Sequence, residues 1–190
     1  MALPLKKRPY SGTMALSNKR LSRLERQVRN NRPEMKWSSL RQAPTAVATG
    51  AIGTLSLDSI TIGDSHYNRC GSQIKLWRME IRGQVDPLLD IYLVQSKDGS
   101  APTYADFDAY PAGFVDNGNT NLVEWKHIRV KPDQTTNCPY RIIQKFNGMK
   151  VEFSNSASSP VRNAMWLVVK NDSGASLNYT LQRKIWFTDP

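Results

Sequence analysis

From about residue 50 onward the chain alternates short apolar blocks with clusters of turn residues, and no block has the length or period of a core helix. GTLSLDSITIG, QIKLWRMEIRG, LDIYLVQS, LVEWKHIRV, RIIQKF, MKVEFS, AMWLVVK and LNYTLQRKIWF read as eight strands. Within QIKLWRMEIRG the apolar set changes phase between Leu76 and Trp77, which a β-bulge would produce. Asn147-Gly148, between RIIQKF and MKVEFS, is the strongest hairpin-turn signal in the chain. The stretch 97–121 is irregular and rich in Gly, Pro, Asp and Asn, as a surface loop would be. Eight short antiparallel strands without helical alternation predict an all-β sandwich or barrel of roughly 140 residues.

Charge divides the chain differently. The formal net charge is +10, and residues 1–44 hold eleven Lys or Arg against only Glu25 and Glu34. Residues 45–190 hold fifteen basic and fourteen acidic residues. The expected organisation is therefore a basic N-terminal arm, 1–44, and a nearly neutral body, 45–190. Such an arm seeks polyanions, nucleic acid first.

The arm's tip, MALPLKKRPYSGTMALS, has no hydrophobic period and is expected to be flexible; its KKRP string reads as a minimal nuclear-import signal. SNKRLSRLERQVRNNRP follows, with Ser17 as N-cap and Pro33 as stop, which predicts a helix over about 18–31. Leu21, Leu24 and Val28 form one apolar stripe on it, opposite a basic arc. The stripe is expected to pack against neighbouring arms or the body, and Trp37 to anchor the arm to the body's underside. The expected nucleic-acid-binding residues are Lys6, Lys7, Arg8, Lys19, Arg20, Arg23, Arg26, Arg29, Arg32, Lys36 and Arg41. Lys and Arg on a flexible arm reach phosphates without reading bases, so binding should be sequence-independent and salt-dependent.

Other classes find little support. No segment approaches the ~18 apolar residues that span a bilayer, and no membrane partner is expected. Met1–Ser11 lacks the apolar core of a signal peptide, so synthesis in the cytosol is expected, with Cys70 and Cys138 as free thiols. His66 and His127 belong to no metal-ligand or catalytic spacing, and the nucleophile-elbow and phosphate-loop motifs are missing, so no enzyme is expected. No cofactor is expected either. A structural calcium ion at a subunit contact would draw on loop carboxylates such as Asp64, Asp106 and Asp108, although most loop Asp residues only form turns. A nucleic-acid-recognition β-domain would need basic and aromatic residues on one sheet face, and the near-neutral body argues against it.

Several strings, taken in order behind the basic helix, resemble coat proteins of circular single-stranded DNA viruses that encode a replication initiator, and the related shell of satellite tobacco necrosis virus. They are Asn68-Arg69-Cys70-Gly71-Ser72-Gln73-Ile74-Lys75-Leu76 leading to Ile81-Arg82-Gly83, then DIYLVQSKDGSAPTYADF, then Asn163-Ala-Met-Trp-Leu-Val-Val, and finally Trp186-Phe187-Thr188-Asp189-Pro190. The resemblance implies a single eight-stranded jelly-roll sandwich whose sixty copies close a T=1 icosahedral shell, with the arm turned inward to a single-stranded genome. It implies residence in the virion and in host cytoplasm and nucleus, with a host receptor and import factors as further partners. An RNA satellite-virus coat protein and a non-viral nucleic-acid-binding β-barrel are the alternatives. Sixty arms would bring on the order of 540 positive charges to a genome of roughly one to two thousand phosphates.

Overall fold

The computed structural model describes residues 20–22, 33–63, 67–107, 115, 120–130, 137–154 and 157–189. The chain divides into two units, Met1–Glu34 and Met35–Pro190. In the first, residues 20–22 are helical and exposed.

Among the described residues the second unit holds nine strands: β1 (Lys36–Val47), β2 (Ala51–Ser56), β3 (Gln73–Val85), β4 (Leu89–Ser96), β5 (Leu122–Arg129), β6 (Cys138–Phe153), β7 (Pro160–Arg162), β8 (Ala164–Asn171) and β9 (Leu177–Thr188). They form two antiparallel sheets, ordered β1-β9-β3-β6-β7 and β2-β8-β4-β5. With the three-residue β7 set aside, the pairs β1 with β9, β2 with β8, β3 with β6 and β4 with β5 nest inside one another like a long hairpin rolled up. That nesting defines a jelly roll of eight principal strands, the all-β fold the sequence predicts.

Alternation decides the core. Ile74, Leu76, Met79, Ile81, Leu181, Ile185 and Phe187 from the first sheet meet Leu89, Ile91, Leu93, Met165, Leu167 and Val169 from the second. The phase change in β3 is a bulge: registers with both β6 and β9 shift between Leu76 and Arg78. Strand β4 is buried on both faces because Phe107 and Val115, from the 97–121 stretch, pack on its outer side against Tyr92, Val94, Leu122 and Val168. Burying one such ring contributes roughly 1.5–3 kcal/mol, enough to hold the contacting part of that loop down.

Arg69, within the Asn68–Leu76 string, is wholly buried. Its guanidinium donates to the carbonyls of Ile60, Gly71, Ser154 and Ala157 and lies over the Phe153 ring at 4.1 Å. One side chain thereby ties three loop segments beneath the sandwich.

Three expectations change. Asn147-Gly148 makes no hairpin: RIIQKF and MKVEFS are one strand, β6, and the pair sits in a bulge where Trp77 alone faces residues 146–148. Gly148 takes φ +70 there, the same left-handed freedom a turn would use. Residues 36–44, assigned to the arm by charge, form most of β1, an edge strand that among the described residues pairs with β9 alone. GTLSLDSITIG is strand only as far as Ser56; beyond it, Ile62 bridges to Arg69.

Candidate nucleic-acid interface

Of the expected arm residues, Arg20 and Leu21 lie in the described helical segment and are exposed. Lys6, Lys7, Arg8, Lys19, Arg23, Arg26, Arg29, Arg32, Leu24 and Val28 lie outside the described residues, as do Asp64, Asp108 and His66. Lys36 is engaged elsewhere. Its ammonium sits 2.7 Å from the Asp189 carboxylate and also donates to the Asn68 carbonyl, so it pins the start of β1 to the end of β9. That hydrogen bond to Asp189 raises its pKa. Arg41 is exposed on β1.

Asp106 caps the 3-10 turn Tyr104–Asp106, its carboxylate accepting from the Thr103 amide at 2.6 Å and hydroxyl at 2.9 Å. Among the described residues no three His, Cys, Asp or Glu side chains cluster as metal ligands would. Cys70, exposed, and Cys138, buried, are not joined in a disulfide. His127 stacks on Tyr92 at 4.3 Å and meets the buried Asp90 carboxylate at 3.0 Å, a packed structural ring.

The first sheet's outward face gathers what no single strand displays. Directly opposed residues of antiparallel strands share a face. Trp37, Trp186, Arg78 and Lys145 therefore form one row across β1, β9, β3 and β6; Ser39, Lys184, Glu80 and Ile143 form the next; Arg41, Gln182, Arg82 and Arg141 the third. With Lys75 and Lys150 on the same face, these four strands present eight Lys or Arg against two carboxylates, Glu80 and Glu152. The near-neutral total for residues 45–190 conceals this segregation, and the expectation that the body carries no basic aromatic face is overturned.

Glu80 stands at the centre. Arg82 Nε lies 2.7 Å and Arg141 Nε 3.0 Å from its Oε1, while Arg78 Nη2 lies 3.1 Å from Oε2. The hydrogen bond from Arg82, then that from Arg141, holds the Glu80 carboxyl below the usual range. One carboxylate cannot neutralise three guanidiniums. Among the described residues no acid comes within ion-pair distance of Arg41, Lys145 or Lys184. Lys184 lies over the rings of Trp37 (4.3 Å) and Trp186 (5.2 Å), and Arg78 lies over Trp186 at 4.7 Å. The tryptophans thus act as platforms that hold cations in place. Trp37 meets Tyr67 edge-on, an anchoring contact within the body itself.

Two open clefts cross this face. One of about 530 Å³ runs between Ser39, Arg41, Glu80, Arg82, Lys184 and Trp186. A second, of about 870 Å³, lies beside it along Arg41, Arg82, Arg141, Thr180 and Gln182. Concave, cationic and rich in fixed guanidinium donors, the surface matches an extended polyanion. Sequence reading missed Arg78, Arg82, Arg141, Lys145, Lys184 and Trp186. A period of two in RMEIR and in KIW marks some of them as outward-facing, but their convergence follows from register alone.

No protein-family model matches the chain, and no curated protein matches it. Solved structures similar to it include the tomato aspermy virus structure (11% identity, 90% of this chain and 95% of that one, TM-score 0.38) and the cyanophage Pam1 capsid asymmetric unit (9%, 100% and 94%, TM-score 0.34). The 60-mer BFDV capsid protein is similar at 9% identity over 83% of this chain and 96% of that one, with a TM-score of 0.32. These likenesses are weak; the jelly-roll assignment rests on strand order and register.

Proposed function

We propose that this chain is a viral coat protein which self-assembles into a small icosahedral shell of sixty copies and packages a single-stranded genome, DNA on the sequence resemblance. The observation that carries the reading is one of placement: an arm of strongly basic sequence leads directly into β1, the edge strand of a jelly roll whose adjoining sheet face is itself cationic. A structural role follows, with the virion as destination, further copies of the chain and the genome as partners, and host receptor and import factors as later contacts. The near-neutral sum over the body limits long-range repulsion between copies, leaving apolar contact to drive assembly.

The test is direct. The purified chain is expected to run as a particle of megadalton mass by light scattering, closed by point symmetry. Deleting residues 1–34, which spares the Lys36–Asp189 pair, is expected to leave a folded shell protein and to remove most of the nucleic acid co-purifying with it. A monomer or dimer at every salt concentration, with nucleic acid present, would overturn the shell and leave the second reading, a non-viral nucleic-acid-binding β-domain, which the basic Trp-bearing face favours. Digestion of released nucleic acid by DNase or RNase separates a DNA genome from an RNA one.

A further inference from the structure

We propose that the outward face of the five-stranded sheet is a phosphodiester-binding site separate from the arm, and that Glu80 is its positioning residue. The inference rests on the nucleic-acid-packaging reading and adds to it a site with fixed geometry. Arg78, Arg82 and Arg141 come from two strands and converge on one carboxylate, while their side chains stay 41%, 60% and 53% exposed. Arginine carries five donors in a rigid fork, and Glu80 engages only part of each. The carboxylate fixes the forks; the cluster keeps an excess of two positive charges; and Arg41 lies beside Arg82 across Gln182, in the same row and on the same cleft.

An arginine whose rotamer is already fixed loses less freedom on meeting a phosphate. Without Glu80, three neighbouring guanidiniums would repel one another and splay into solvent. Alignment of cationic groups in rows across four strands suits a flexible single strand laid along the clefts better than a straight rigid duplex.

Simple charge counting and positioning make opposite predictions for Glu80→Gln. The substitution adds one positive charge to the face, so counting predicts tighter binding; loss of positioning predicts weaker binding. The experiment uses the full chain, as dissociated nucleic-acid-free subunits, in two forms: natural, and with the Lys and Arg of residues 6–32 replaced by Gln. A labelled single-stranded oligodeoxynucleotide is titrated by fluorescence anisotropy over a salt series.

The arm-neutralised chain is expected to retain salt-dependent binding. Adding Arg82→Gln and Arg141→Gln is expected to lower the slope of log K against log salt by about 0.7 per residue, the single-strand value. Glu80→Gln alone is expected to weaken binding severalfold, yet to tighten it slightly once both arginines are gone, a reversal that mere loss of fold would not give; thermal melts of each variant check the fold. Loss of all binding on neutralising the arm would overturn the sheet site, and tighter binding by Glu80→Gln would overturn its positioning role. Preference for a sulfated polysaccharide over the oligonucleotide at equal salt would reassign the face to another polyanion. Particle mass, measured separately, reports on the coat-protein reading whatever the anisotropy shows.

Discussion

Asp58 and Arg183 bring opposite charges into the body's interior. Asp58 is fully buried and accepts hydrogen bonds from the Met165 amide at 2.9 Å and from the Ser56 hydroxyl at 3.4 Å; Arg183 donates to the Ser59 carbonyl and the Ser38 hydroxyl. Burial pushes the Asp58 carboxyl up to about 7, the Met165 hydrogen bond and the Arg183 charge only partly opposing it. The folded state therefore holds a proton that the unfolded chain releases near 3.8. Between those values the folded form binds more protons, so this group's contribution to stability falls as pH rises from about 4 to about 7 and is level beyond. Asp58→Asn removes the titration. In urea unfolding followed by tryptophan fluorescence, the variant should gain on the natural chain by a few kcal/mol across that window; parallel curves would refute the assignment. Nothing in LDSITIG distinguishes this Asp from a turn-forming one. The same holds for Lys36, legible as basic but not as Asp189's partner, because each depends on a neighbour more than a hundred residues away.

Strands were legible in proportion to how regularly they alternate. β3, β4, β5, β8 and β9 stand out because each carries a run of apolar residues for one core face or two. β1 does not: KWSSLRQAPTAV is an edge strand with one fully buried residue, Val47, and Pro44, which lacks an N–H, falls where its register with β9 shifts between Gln42 and Thr45. β6 was cut in two by a dipeptide whose local preference yields to pairing along β3. Glycine has a sharper role at position 83, where a Cβ would stand 2.0 Å from the Thr180 carbonyl oxygen and 2.7 Å from the Tyr140 ring. β3 and β9 cannot keep their spacing around it, so Gly83→Ala should cost about 3 kcal/mol, the upper end for overpacking. Gly148→Ala meets only the Trp77 ring, at 3.2 Å, and pays mainly for φ +70, about 1 kcal/mol. Equal losses in chemical denaturation would contradict this ranking.

At the scale of the molecule, two different orders are imposed on one chain. Charge is sorted along the sequence into arm and body, which composition reveals, and again within the body onto one sheet face, which appears only when β1, β9, β3 and β6 are laid side by side. Nesting of the hairpin makes nearly every important pairing remote: Lys36 opposes Phe187, and Ala51 opposes Asn171. Topologies dominated by such contacts fold in milliseconds to seconds, so stopped-flow refolding of the chain should show a main phase in that range, and a microsecond phase carrying full amplitude would be inconsistent with the nesting. The β1–β9 pairing has a consequence for synthesis on the ribosome. Until β9 has cleared the exit tunnel, β1 lacks its one partner among the described strands and β3 lacks one of its two neighbours. The basic segment precedes the body in the sequence, so it emerges before β9 does. On the packaging role proposed above, the order in which the strands emerge, and not affinity alone, bears on which nucleic acid the chain meets before β9 completes the sheet.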